Sequence, residues 1–159
     1  MAGQKGKSRK QLGGKKQPSS QPKDFVLFLD ENLCNCQPLL DAIAECGVRY
    51  ERHYAHYPPG TPDTGWLPYV GSQHWILLTA DQTIRYSEVE KRAVVRHKVR
   101  EFVFTSGNLS RFELARLIKI AMPSMQKLCL KQKPPFIASI TKSGNVSLRY
   151  PKPASTGKF

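Results

Sequence analysis

No acid occurs in this 159-residue chain before Asp24, although seven bases do: Lys5, Lys7, Arg9, Lys10, Lys15, Lys16 and Lys23. The same stretch has almost nothing apolar beyond Leu12. A segment that buries no apolar surface has nothing to offset its ordering entropy, so residues 1–23 are expected to form a basic disordered tail. Acids stay scarce afterwards, with 12 against 18 Lys and Arg from Asp24 onward, within a formal net charge of +13 for the whole chain. That balance argues against polycationic partners and for polyanionic ones, which bind through phosphate contacts and counterion release.

Cysteine is also sparse. Cys34, Cys36, Cys46 and Cys129 do not form the framework of a small secreted chain, and Cys34-Asn35-Cys36 lacks the two-residue spacing of a zinc or redox pair. All four are expected to be reduced, in a cytoplasmic protein. No apolar run approaches the roughly 20 residues that span a membrane, and the basic start is followed by no signal-peptide core. There is no phosphate-cradling glycine loop, and Ser106-Gly107-Asn108 is no nucleophile elbow, since no glycine precedes the serine in the required frame. No internal repeat is present.

What remains alternates strand and helix. An apolar strand over 25–29 is followed by a helix opening at Asn35 or Cys36, striped by Leu39, Leu40, Ile43 and Cys46 and stopped at Gly47. A second strand is expected near 48–52. The prolines and glycine of 53–62 read as a loop. Over 63–73 Leu67 and Val70 suggest a helix that Gly65 and Pro68 weaken. A strand at 75–79 precedes a helix near 88–98, signalled by the capping box Ser87-x-x-Glu90. Phe102-Val103-Phe104 reads as a strand. Ser110-x-x-Glu113 opens another helix, which Pro123 is expected to bend or end, and 136–141 with 146–150 reads as a terminal hairpin. The alternation predicts a mostly parallel sheet covered on both faces, in a domain over 24–150 with a short tail at 151–159.

Two of these strands stop on acids. Phe25-Val26-Leu27-Phe28-Leu29 runs into Asp30-Glu31-Asn32, and Trp75-Ile76-Leu77-Leu78-Thr79 into Ala80-Asp81. Parallel strands end where α/β folds place their sites, and two carboxylates gathered there repel unless a hard cation with a taste for oxygen ligands sits between them. The plain alternative for each is a strand-end or helix-capping aspartate.

In order and spacing, Asp30-Glu31-Asn32-Leu33, Asp63, and Leu77-Leu78-Thr79-Ala80-Asp81 resemble the PIN-like nuclease domains. Arg85, Glu90-Lys91-Arg92-Ala93, Phe102-Val103-Phe104 and Pro135-Phe136-Ile137-Ala138 resemble its VapC-like branch, and the likeness covers roughly 25–150. The resemblance implies a three-layer α/β/α fold with a C-terminal β-hairpin. It implies a Mg²⁺- or Mn²⁺-dependent ribonuclease, often the toxin of a toxin–antitoxin pair, with an antitoxin protein as partner and with domains that often form homodimers. Asp30, Asp63 and Asp81 would hold the cation, Glu31 would be the next catalytic candidate, and Asn32 and Thr79 would orient the acids. The family's further acid after the T-x-D strand has no counterpart in Gln82-Thr83-Ile84, so Glu88 or Glu90 would supply it, with Glu90 equally suited to capping its helix.

Among the bases clustered after that strand, Arg85, Lys91 and Arg92 are the candidates for phosphate, alongside Arg96, Lys98 and Arg100. Tyr54, Tyr57, Trp66 and Tyr69 either stack on single-stranded bases or pack over the sheet edge. His53, His56, His74 and His97 read as loop surface or nucleic-acid contacts. The function expected is cleavage of single-stranded or structured RNA. The alternative is a nucleic-acid-binding module with a degenerate site, or a domain for protein partners.

Overall fold

The computed structural model describes residues 25–81 and 87–152. The basic tail, Arg85, and the chain beyond Lys152 lie outside these described residues. Six strands make one sheet: β1 (Val26–Leu29), β2 (Arg49–Arg52), β3 (Ile76–Thr79), β4 (Arg100–Phe104), β5 (Phe136–Ile140) and β6 (Val146–Tyr150). Their spatial order is β2-β1-β3-β4-β5-β6, parallel except for β6, which returns antiparallel to β5 as the second arm of a hairpin. The turn between them holds Gly144 at φ 88°, a left-handed conformation that glycine adopts without penalty.

β1, β3, β4 and β5 are inner strands and therefore lose water on both faces, which is why they read as continuous apolar runs rather than alternating ones. One face packs Leu27, Leu29, Leu78, Phe102 and Phe104 against α1 (Gln37–Glu45) and the long final helix, here α5 (Arg111–Lys131). The other packs Phe28, Leu77 and Val103 against α3 (Asp63–Ser72) and α4 (Glu88–Arg96). The result is a three-layer α/β/α domain. Each fully buried leucine or phenylalanine contributes about 2 kcal/mol of transfer free energy.

The helices follow their local chemistry with two departures. α1 starts after Cys36 with a proline in its first turn and ends at Gly47, φ 75°. α5 opens on a complete capping box, Ser110 and Glu113 each accepting the other's backbone N–H. Pro123 does not end it: the helix runs on to Lys131, because Met122 and Met125 continue the stripe buried on α1, and that burial outweighs one missing hydrogen bond. The second departure lies in the 53–62 loop, where His53–His56 forms a single turn, α2, closed by Tyr57 N–H donating to the His53 carbonyl at 2.8 Å. His53 is the cause, since its ring is fully buried against Phe28 and Trp66.

α3 forms despite Gly65 and Pro68, held by Trp66, Leu67 and Val70. Gly71 supplies its close approach to α4: a Cβ there would stand 2.1 Å from the backbone carbonyl oxygen of His97. Gly71→Ala is therefore expected to force the two helices apart and to cost roughly 2 kcal/mol, in the range of other overpacked cores. A urea denaturation midpoint equal to that of the unsubstituted protein would contradict this.

Candidate metal centre

In a sheet ordered 2-1-3-4, the chain leaves β1 toward one side and returns to β3 on the other. The crevice beyond the carboxyl ends of β1 and β3 is thus the topological switch point. Asp30 and Asp81 follow these two strands. Because side chains alternate along a strand, Asp30 shares the face of Phe28, Thr79 that of Leu77, and Glu101 that of Val103. All three point toward the α3–α4 layer, where Asp63 is the first residue of α3 and Glu90 lies in the first turn of α4.

Asp30 is buried, with 4% of its surface exposed. One carboxylate oxygen accepts the Asn32 N–H at 3.1 Å, and the other accepts the Thr79 hydroxyl. Thr79 in turn accepts the Asp81 N–H at 2.9 Å, so one buried hydroxyl ties both acid-bearing loops together. Asn32 contributes its backbone, and its exposed side chain stands away from this network. Burial raises the Asp30 pKa to about 7, with the charge of Asp81 adding to the effect and the Thr79 and Asn32 hydrogen bonds opposing it.

Asp63 is raised to about 7 as well, first by burial and then by a hydrogen bond and charge repulsion from Glu90, with Asp30 and Asp81 adding to it. The Glu90 carboxylate thus serves Asp63. Ser87 still accepts the Glu90 N–H at 3.3 Å, but the return bond of a capping box is not made. The capping alternative for Glu90 therefore describes its backbone and not its side chain.

Glu101 is the residue that sequence reasoning missed. It sits mid-strand on β4, fully buried, with neither carboxylate oxygen hydrogen-bonded. Burial raises its pKa to about 8, and Asp30, Asp63, Glu90 and Asp81 all act on it. The signal was a charged residue inside the Arg100–Phe104 strand, which the apolar triplet Phe102-Val103-Phe104 overshadowed. A wholly buried acid without a partner is costly, and a cation is the usual compensation.

Glu31 goes elsewhere. Its two carboxylate oxygens accept the Gly60 N–H at 3.2 Å each, and the His53 ring stands beyond hydrogen-bonding distance, with Nε2 at 3.9 Å. It fastens β1 to the Pro58–Pro62 loop that leads into Asp63. His53 is buried, not loop surface. Neither ring nitrogen has a hydrogen bond, and desolvation holds the imidazole below its usual pKa against the pull of Glu31. Of the four loop aromatics, Trp66 is buried in the core, while Tyr54 and Tyr69 are each 38% exposed.

Asp30, Asp63, Asp81, Glu90 and Glu101 are thus within electrostatic reach of one another. Among the described residues, however, no three His, Cys, Asp or Glu side chains stand close enough together to be ligands of one ion. The donor set is all oxygen, it includes an orphaned buried carboxylate, and the raised pKa values of Asp30, Asp63 and Glu101 mark protons that a cation would replace. These features fit a hard divalent ion such as Mg²⁺ or Mn²⁺.

Residues 25–106, just over half of the chain, match the family model described as a PIN like domain. Comparison with curated proteins and with solved structures returned no match.

The raised pKa values fix a pH dependence. In the folded protein Asp30 and Asp63 titrate at about 7 and Glu101 at about 8, against ordinary values of 3.8 and 4.5. Between those limits the folded state holds protons that the unfolded state has lost, so stability falls as pH rises. Their contribution is complete below about pH 4 and gone above about pH 8. In chelator, the urea midpoint is expected to drop from pH 5.5 to pH 8.5, and Glu101→Gln is expected to flatten the upper part of that fall. A midpoint that rises over this interval in both proteins would contradict the assignment.

Proposed function

Because the chain belongs to the PIN-like domain family, whose members are commonly nucleases, we propose that it is a divalent-metal-dependent endoribonuclease hydrolysing RNA phosphodiester bonds. The observation that carries this reading is Glu101: a fully buried carboxylate with no hydrogen bond, in the electrostatic field of four further acids at the switch point of the sheet. A fold tolerates such a group where a positive charge is to be received.

Asp30, Asp63 and Asp81 are the residues assigned to hold Mg²⁺ or Mn²⁺, with Glu90 and Glu101 completing the oxygen set. When bound, the ion supplies Lewis acidity toward the phosphate oxygens and toward a water nucleophile. The chain's own groups do the rest. Thr79 fixes the rotamer of Asp30 and the backbone at Asp81 with one hydroxyl, so the two acids keep their separation as charge changes. Asp63 and Glu90, in the first turns of α3 and α4, bring two further carboxylates from the helical layer toward those of the strands. Glu31 acts as a positioning residue: through Gly60 it holds the loop that sets the first turn of α3, and thus Asp63.

As further parts of this proposal, read from the sequence resemblance of Glu90-Lys91-Arg92-Ala93 and Pro135-Phe136-Ile137-Ala138 to the VapC-like branch, the protein would be the toxin of a toxin–antitoxin pair, with an antitoxin partner and a homodimeric state, in the cytoplasm. No helix among the described residues is long and apolar enough to cross a membrane. A second reading, a nucleic-acid-binding module with a degenerate site, is favoured by one observation: the acids do not stand at ligand spacing in the described residues.

Labelled RNA and single-stranded DNA incubated with Mn²⁺, Mg²⁺ or chelator separate the two. Metal-dependent cleavage of RNA is expected, reduced at least about a hundredfold by Asp30→Ala, Asp81→Ala or Glu101→Gln, the scale of losing an essential charge-stabilising group. Glu31→Gln should keep most of the activity, since an amide oxygen still accepts from Gly60. Cleavage that persists in chelator, or that all three acid variants retain, would sink the nuclease reading. Binding without any cutting would establish the second one.

A further inference from the structure

The helix that carries Glu90 into the acid cluster presents a different chemistry on its outer side. With 3.6 residues per turn, Glu90 and Val94 share the inward face of α4. Arg92 and Arg96 then fall together on the outward crest, one turn and roughly 6 Å apart. A cleft opens on each flank of this crest, and both arginines line both clefts. The cleft toward α3 encloses about 290 Å³ and includes Thr64, Ala93 and His97. Thr64 follows Asp63 in the first turn of α3, so this cleft runs beside the helix that carries that acid. The cleft toward β6 encloses about 290 Å³, with Val95 and Tyr150 as an apolar floor and Lys91 beside them. The Lys91 ammonium stands 5.0 Å from the centre of the Tyr150 ring.

Arg92 and Arg96 form no ion pair with any described residue, whereas Lys119, on α5, is paired with Glu45. Glu88, one turn before Arg92, also lines the cleft toward β6 without forming an ion pair with either arginine, and two guanidiniums one helical turn apart suit successive phosphates of one strand. The flanking clefts are each large enough for a base, and the aromatic and apolar floor of one suits stacking. A duplex, with its bases turned inward, offers nothing to such clefts.

We propose that the crest of α4 is the track for the single-stranded RNA flanking the scissile phosphate, with Arg92 and Arg96 on consecutive backbone phosphates and a base seated over Val95 and Tyr150. The proposal rests on the nuclease reading for what lies at the start of the track, but its contacts are separate from the acids. It makes the protein a reader of unpaired strands, and it assigns Arg96 and Tyr150 to the substrate as well as Arg92 and Lys91.

The test measures binding and cutting independently. A fluorescent single-stranded RNA 12-mer is titrated in chelator by anisotropy with the full chain, with Arg92→Glu/Arg96→Glu, with Arg92→Gln/Arg96→Gln, and with Lys127→Glu/Lys131→Glu on α5 as a control of equal charge change. The α4 reversal is expected to weaken binding at least tenfold, and the glutamine pair to weaken it less. The glutamine pair should also make the salt slope shallower by about 1.4, the value for two phosphates on a single strand, while the control stays near the parent. Tyr150→Ala should remove any preference of the parent for the intact strand over one with an abasic flanking position. With Mn²⁺, the α4 variants should raise KM for the 12-mer by a larger factor than KM for a minimal dinucleotide.

Equal weakening by the α5 control, unchanged binding by the α4 variants, or no binding of the 12-mer by the parent would each overturn the track. Unchanged thermal midpoints of the glutamine pair and of Tyr150→Ala show that folding is not the cause. Binding lost through α4 without cleavage of any substrate would reject the nuclease reading and keep the track. Cleavage of the 12-mer with unaltered KM in the α4 variants would do the reverse.

Discussion

Buried negative charge at one end of a parallel sheet is the constraint on which the rest of this structure depends. Asp30 and Glu101 are both removed from water, one hydrogen-bonded and the other not, and Asp63 and Asp81 add to their fields. In the absence of a cation the fold meets this load by keeping protons on carboxyls that would ordinarily be ionised at neutral pH. The acids are thus a reserve of unfavourable charge that a divalent ion would relieve. Stability is given up where these acids gather, an arrangement common at functional sites.

Much of the remaining architecture serves to hold that load in place. Thr79 joins the ends of β1 and β3 through one hydroxyl that donates to Asp30 and accepts from Asp81. Glu31 secures the Pro58–Pro62 loop through Gly60, and the loop delivers Asp63 to the start of α3. At its other end α3 meets α4 through Gly71 at the His97 carbonyl. The two acid-bearing helices therefore touch at one end and share the Asp63–Glu90 hydrogen bond at the other. A change at either junction would move Asp63 relative to Glu90 without altering any acid.

The aromatic layer shows how the same residue types divide between core and surface. Phe28 on β1 is surrounded by His53, Trp66 and Trp75, and the Trp75 ring stacks on it with planes 9° apart. This packing draws His53 out of solvent and turns a proline-rich stretch into the short α2 turn. Of the loop aromatics considered for base stacking, Trp66 belongs to the core, and the ring with a cleft beside a row of cations is Tyr150, at the far end of the chain.

The sequence by itself determined the layer order, because fully buried strands must read as apolar runs and caps must flank helices: Val26–Leu29 and Ile76–Thr79 stop on acids, and Ser110 with Glu113 opens α5. It also marked Asp30 and Asp81, whose positions at strand ends are local properties, while Asp63 was marked only by the resemblance to PIN-like domains. Tertiary structure alone decided the partners. Glu90 has the spacing of a cap but turns to Asp63, Glu31 stands next to Asp30 but reaches across to Gly60, and Pro123 interrupts a pattern without ending a helix. Glu101 joins Asp30 only because β4 lies beside β3 in the sheet, 71 positions along the chain from the first acid. Local sequence sets which backbone each residue prefers; which charges face one another depends on strand order and on the face each side chain takes, and those are fixed only when distant segments pack.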